Sequence, residues 1–445
     1  MPSKRAVLIG CNYPGTNAAL RGCINDVWGM KAILEEYYGF EPSDITILID
    51  TDPQYLRPTG RNMKAKINEM IAAAQDGDVC VLHFSGHGTQ IPSLDGDEKD
   101  GKDEAICPTD MNVICDDDLR VMLKPLEAKP GVKFTFIADC CHSGTLLDHV
   151  TVQISGAKER SRFVDPLSDV RSVCIHPPDC CHSGTLLDHE TVQISGAKDG
   201  SPPPPQFDLS SLAGMFGTLG EPGGRDFRNR ALPFNDLCGM LSQMVGGQVD
   251  ASNVRSNLGS LFGADLSAKV QQFMQVLQMF TAGNGAKVEG GGGGLLQLLC
   301  ACLMPSADEG APSGQPANAT SGPGANYVAG NLAEPDLKIN LPPAGAKPPV
   351  DQQLAADIGI LITGCQSHET SADACPSGNP NKAHGALSNA LQTVVRKHHQ
   401  QNPGQPLTYR NLVIGIRDLL AKTGFAQNPC LECSNTNADS PFIVH

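Results

Sequence analysis

Long apolar runs are missing from this 445-residue chain. After Met1-Pro2-Ser3-Lys4-Arg5 only about six apolar residues precede Asn12, too few for the core of a secretory signal. The longest other run, Leu295 to Met304, contains Gln297 and is too short to cross a bilayer. A soluble, cytoplasmic protein without a membrane span is expected. Positive charge is also scarce. Against 48 Asp and Glu stand 33 Lys and Arg, and the net charge of -15 argues against a nucleic-acid partner and suits a cationic substrate or a bound metal cation. A disulfide framework is lacking too, because the 17 cysteines are odd in number and several, such as Cys80, Cys107 and Cys365, sit inside strand-like runs, as reduced thiols do. Cys430-x-x-Cys433 has no second pair to complete a zinc site.

What is present is an alternation of short apolar runs with helical segments. Arg5–Cys11, Ile45–Asp50, Val79–Phe84, Lys133–Asp139, Ile358–Gly364 and Phe442–His445 read as strands, and strands alternating with helices mean an α/β fold with a mostly parallel six-stranded sheet. Leu20, Cys23, Ile24, Val27, Leu34 and Tyr37 share one face of a helix that ends at Gly39, and Leu387, Leu391 and Val394 do the same in 382–399. Between residues 201 and 350 the alternation stops. Four prolines follow Ser201, five glycines fill 290–294, and 305–349 is too rich in Pro, Ala, Gly and Ser to repay its ordering entropy. The chain thus divides into 1–200, a partly disordered linker at 201–350, and 351–445, which completes the same sheet. Within the linker, 231–245 and 265–280 carry apolar residues at helical spacing and are expected to dock.

In such sheets functional groups gather at the carboxyl ends of the strands. One strand runs into Ser85-Gly86-His87-Gly88 and another into Asp139-Cys140-Cys141-His142-Ser143-Gly144. If these strands are neighbours, about 4.8 Å apart, His87 and one of the cysteines meet as base and nucleophile. The amides of Gly88 and Cys141 then suit an oxyanion hole. His142 is a poor base for Cys141, since consecutive side chains on extended backbone diverge, and His83 reads as a core residue. Residues 139–158 recur as 179–198 with one difference, Val150 against Glu190. The second copy follows Pro177-Pro178, which cannot lie in a central strand, so Cys181 is not expected beside His87.

These motifs resemble the His/Cys dyad of the metacaspases, cysteine peptidases of the caspase fold. The resemblance extends to Leu20-Arg-Gly-Cys-Ile-Asn-Asp-Val27, Asp103-Glu104, Asp116-Asp117-Asp118 and the stretch Ile362 to Asp373. A large subunit at the N-terminus, a long linker containing Arg-Asn-Arg-Ala-Leu-Pro (228–233) and a small subunit are similar to the type II group. The resemblance implies that Cys141 is the nucleophile and His87 the base, that Cys140 is a bystander, and that stress response and programmed cell death are the setting. It also implies a monomer.

Asp139 ends its strand in the cleft, where an unpaired carboxylate is costly unless a cation arrives. The resemblance adds Asp26, lined by Cys23 and Ser85, and so implies a substrate with Arg or Lys before the scissile bond. The stretch 95–118 is dense in carboxylates with only Lys99 and Lys102 against them, a repulsion that a hard cation relieves. By resemblance that cation is Ca2+, held by Asp103, Asp116, Asp117 and Asp148. The resemblance further implies a zymogen whose own linker blocks the site and is cut after a basic residue, with Arg225 and Arg228 placed slightly ahead of Arg230. The competing expectation is a caspase-fold scaffold or chaperone without proteolytic activity.

Overall fold

The computed structural model describes residues 2–92, 102–141, 152–153, 225–250, 253–266, 358–365, 369–376 and 378–444. The first part of the chain runs β1 (Lys4–Gly10), α1 (Cys23–Tyr38), β2 (Ile45–Ile49), α2 (Gly60–Ala73), β3 (Val79–Ser85), β4 (Gly88–Pro92), β5 (Lys102–Ile106), β6 (Ile114–Cys115), α3 (Asp116–Leu123), β7 (Lys133–Asp139) and β8 (Val152–Gln153). The linker contributes β9 (Arg225–Asn229), α4 (Phe234–Val245) and α5 (Val254–Phe262). The last part gives β10 (Ile360–Thr363), β11 (Ala372–Pro376), β12 (His384–Gly385), α6 (Ala386–Gln401), α7 (Tyr409–Lys422), β13 (Cys430–Cys433) and α8 (Asn435–Ala438).

The central sheet has the order β2-β1-β3-β7-β10-β13-β8. From β2 to β10 every pairing is parallel, and β13 and the two-residue β8 close the edge antiparallel. Every residue of β3 is buried, as a strand covered on both faces requires. Alternation along β1 sends Val7 and Ile9 into one apolar cluster with α2, and Ala6 and Leu8 into another with α1, α6 and α7. α1 stops where Gly39 turns left-handed (φ 62°) and donates its N–H to the Leu34 carbonyl, as the glycine at that position led one to expect. This is the caspase-like arrangement, in which β10 from the last part pairs with β7 from the first.

One expected strand is elsewhere. The sixth strand is β13, not Phe442–His445, which the apolar letters after Pro441 suggested. Phe442 and Ile443 are buried, but Ile443 has a φ of 56° and its N–H donates to the Tyr409 hydroxyl, so the chain turns there and packs against the start of α7 instead of adding a strand. Because β13 is extended, Cys430 and Cys433 point to opposite faces and cannot chelate one ion. In the linker, α4 matches the expected 231–245 helix. Of 265–280 only Asp265 and Leu266 lie among the described residues, as do none of 305–349 and none of the second copy 179–198.

Candidate active site

Ser85 and Asp139 are partners in the parallel β3–β7 register, each the last residue of its strand. His87 and Cys141 stand two residues beyond them, so the sheet brings the expected base and nucleophile to one edge. Gly88 is obligatory there: a Cβ on it would lie 1.8 Å from the Cys141 carbonyl oxygen. The His87 ring is buried, its Nε2 shares a 2.7 Å hydrogen bond with the Ala18 carbonyl, and Nδ1 makes none. Burial holds the His87 pKa below its ordinary value, although the Ala18 and Arg230 main chains favour the charged ring. The Tyr13 hydroxyl accepts from the His87 N–H (2.8 Å) and donates to the Cys107 carbonyl (2.6 Å), and its ring lies 4.9 Å from the imidazole. The Cys141 thiol donates to Asn229 Oδ1 (3.2 Å) and accepts from the Ser371 N–H (2.9 Å). His83 is a core residue as expected, hydrogen-bonded to Ser388 Oγ, and burial lowers its pKa to about 4. His142 lies outside the described residues.

Beside this pair is an acidic pocket with an arginine in it. Arg230, fully buried, reaches Asp26 at 2.9 Å, Asp139 at 3.2 Å and Asp373 at 3.3 Å. Each carboxylate is also held by main-chain amides: Asp26 by Gly385, Asp139 by Ser388, and Asp373 by Arg21 and Gly22. Two of these amides belong to the start of α6, where the helix dipole favours negative charge. Ser85 Oγ donates to Asp26 and accepts from Arg230, and Cys23 lies buried in the same electrostatic neighbourhood. Burial raises Asp26 to about 7, with Arg230 opposing. For Arg230, burial works against the charge, but Asp139, Asp26 and Asp373 outweigh it and keep the guanidinium protonated well above its usual pKa. Gly385 leaves the room, since a Cβ on it would sit 2.2 Å from Asp139 and 2.5 Å from the guanidinium.

The backbone of Arg230 is held on both sides by main-chain hydrogen bonds. Its N–H donates to the Ser371 carbonyl (3.0 Å), and its carbonyl accepts from the Gly88 N–H (2.9 Å). Upstream, β9 pairs antiparallel with β11. Of the three arginines expected to compete, Arg230 is the one in the pocket. Arg228 instead hydrogen-bonds the Ala19 carbonyl, and the Arg225 side chain lies outside the described residues. Asp373 was missed as a pocket residue. It was visible only as the end of the 362–373 motif, and nothing local ties it to Asp26.

Oxygen atoms of Asp103 on β5 and of Asp116 and Asp117 at the start of α3 lie within 4.8 Å of one another. Asp103 and Asp116 are buried, and Asp117 is paired with Arg120. An all-carboxylate donor set of this kind fits a hard divalent cation. Asp148, the fourth expected ligand, lies outside the described residues. No helix among the described residues is long and apolar enough to cross a membrane.

A family model described as the metacaspase, peptidase C14 domain matches residues 4–150. Metacaspase-4 of Arabidopsis thaliana is 35% identical over 445 residues, covering 99% of this chain and all of that protein. Metacaspase-6 of the same plant is 32% identical over 450 residues, with the same coverage. Metacaspase-1B of Aspergillus fumigatus is 47% identical over 150 residues, 33% of this chain and 36% of that protein. The similarity to the plant proteins therefore runs through the linker, whereas the similarity to the fungal one spans a third of the chain. The chain belongs to the metacaspase family of C14 cysteine peptidases, and within it to the type II group.

Proposed function

We propose that this cysteine peptidase is a calcium-dependent endopeptidase that cleaves after Arg or Lys and is made as a zymogen whose linker is cut after Arg230. The observation that carries the reading is the Arg230 guanidinium among three carboxylates while its carbonyl accepts from the Gly88 amide. In the proposed reaction His87 takes the thiol proton, Cys141 Sγ adds to the carbonyl carbon, and the Gly88 amide donates to the developing oxyanion. A donor of this kind contributes roughly 10²–10³ in rate. The imidazolium then protonates the leaving amine, Ala231 in the first event, and water hydrolyses the thioester. A lowered His87 pKa keeps the base neutral at neutral pH.

Asp103, Asp116 and Asp117 are the described groups that would hold calcium, which would supply positive charge to offset their repulsion in competition with Arg120. The β4-β5-β6 sheet links them to Gly88, because Asp103 pairs with Ile91 three residues along β4. Arg-, Lys- and Asp-ending fluorogenic peptides, with calcium or excess EGTA, test the reading in wild-type, Cys141→Ala and Cys181→Ala proteins. Turnover of Arg and Lys peptides that needs calcium and Cys141 but not Cys181 is expected. Full turnover in EGTA would remove the cation from the account, and a biological role unharmed by Cys141→Ala would favour a scaffold.

A further inference from the structure

The chain beyond Arg230 is bound as closely as the arginine itself. Ala231 bridges Gly88 in parallel. The Leu232 N–H donates to the Gly88 carbonyl at 2.8 Å, and the Leu232 carbonyl accepts from Thr89 Oγ1 at 2.7 Å. Both polar groups of the Leu232 backbone are thus satisfied by two consecutive residues of the catalytic part. Burial alternates along the segment: Leu232 is 3% exposed, while Ala231 is half-buried and Pro233 exposed. The Leu232 side chain joins the apolar cluster that includes Ile91 and Ala105. Those two share a face with Thr89, because Ile91 lies two residues along β4 and Ala105 is the cross-strand partner of Thr89.

From this we infer that the peptidase has an apolar subsite for the second residue after the scissile bond, with Thr89 as its backbone clamp, and selects substrates with a large aliphatic side chain there. The inference rests on reading Arg230 as the residue before the cut. It assigns specificity to a position that the acidic pocket does not touch, and it leaves the first residue after the cut weakly specified, since Ala231 is only half-buried. A polar or charged side chain at the second position would enter a dry apolar site without a partner.

Internally quenched peptides carrying Arg-Ala-Leu, Arg-Ala-Ser and Arg-Ala-Asp, with an Asp-Ala-Leu control, are compared on the calcium-treated full chain. The leucine peptide is expected to exceed the aspartate peptide by roughly 10- to 100-fold in kcat/KM, the value of burying one such side chain. Thr89→Val is expected to lower the ratio of Arg-Ala-Leu cleavage to cleavage of a fluorogenic peptide that ends at Arg, which has no residue to clamp. Equal rates for leucine, serine and aspartate, with arginine still required, would overturn the subsite and leave the arginine pocket standing; it would mean that Leu232 is buried by the linker helices alone. Cleavage of the Asp-Ala-Leu control as fast as the arginine peptide would overturn the pocket and the subsite together. If Thr89→Val does not fold, the peptide series on wild-type protein decides alone.

Discussion

Replacing Arg230 by Gln in a Cys141→Ala background, where no cleavage can intervene, removes the guanidinium that faces all three pocket carboxylates at once. Asp26, Asp139 and Asp373 are each about fully buried and within 3.3 Å of the guanidinium. Removing one partner of a buried ionic cluster costs about 3–5 kcal/mol. Protonation limits that cost. Asp26 is already raised to about 7 with the arginine present, and loss of the arginine raises it further. A carboxyl whose folded pKa exceeds its unfolded one stabilises the fold at low pH and loses that contribution as pH rises to the folded value. The parent stops losing near pH 7, whereas R230Q continues, so its deficit grows above pH 7 by up to about 1.4 kcal/mol per unit. Urea unfolding can be followed through Trp28, the single tryptophan, which lies on the same helix as Asp26. A deficit below about 1 kcal/mol, flat from pH 6 to 9, would contradict the buried cluster.

Gly385→Ala is a steric probe of the same pocket, because Gly385 has an ordinary φ of -73° and only space forbids a methyl. It should raise KM for Arg peptides at least about tenfold with a smaller effect on kcat, a ratio read directly from initial rates. Tyr13→Phe removes the hydroxyl that accepts from the His87 N–H. It should lower kcat more than KM and displace the acid limb of the pH profile, and an unchanged profile would leave Tyr13 as packing only. The acid limb of kcat is expected below pH 6.5, since burial lowers the His87 pKa and a neutral ring is needed to accept the proton. KM for Arg peptides should already rise as pH falls from above 7, because Asp26, at about 7 with an arginine beside it, takes up its proton at still higher pH in the empty pocket, which then loses charge.

The parts of this molecule that depend on local pattern were legible in the sequence. The parallel strands announce themselves as buried apolar runs, and two of them end in the motifs that place His87 and Cys141 at one edge. The pocket was half legible: Asp26, Asp139, Cys23 and Ser85 meet there, but Asp373 reaches it through the pairing of β11 with β12 and β9, contacts that no spacing encodes. The choice among Arg225, Arg228 and Arg230 is likewise a matter of register. A slip of two residues between β9 and β11 would exchange Arg228 for Arg230, so the arginines cannot be ranked without the ladder. The sixth strand was misplaced because Glu432 interrupts Cys430–Cys433, whereas Phe442 and Ile443 look more strand-like than they are. The orienting carbonyl of Ala18 leaves no trace in sequence, because any residue supplies one.

In the proposed reaction Cys141 acts on the bond after the arginine held in the acidic pocket. N-terminal sequencing of the calcium-treated chain tests it most directly. Wild-type protein should give a fragment beginning Ala231-Leu232-Pro233, and Cys141→Ala none. A first fragment beginning after Arg225 or Arg228, or cleavage that survives Cys141→Ala, would contradict it.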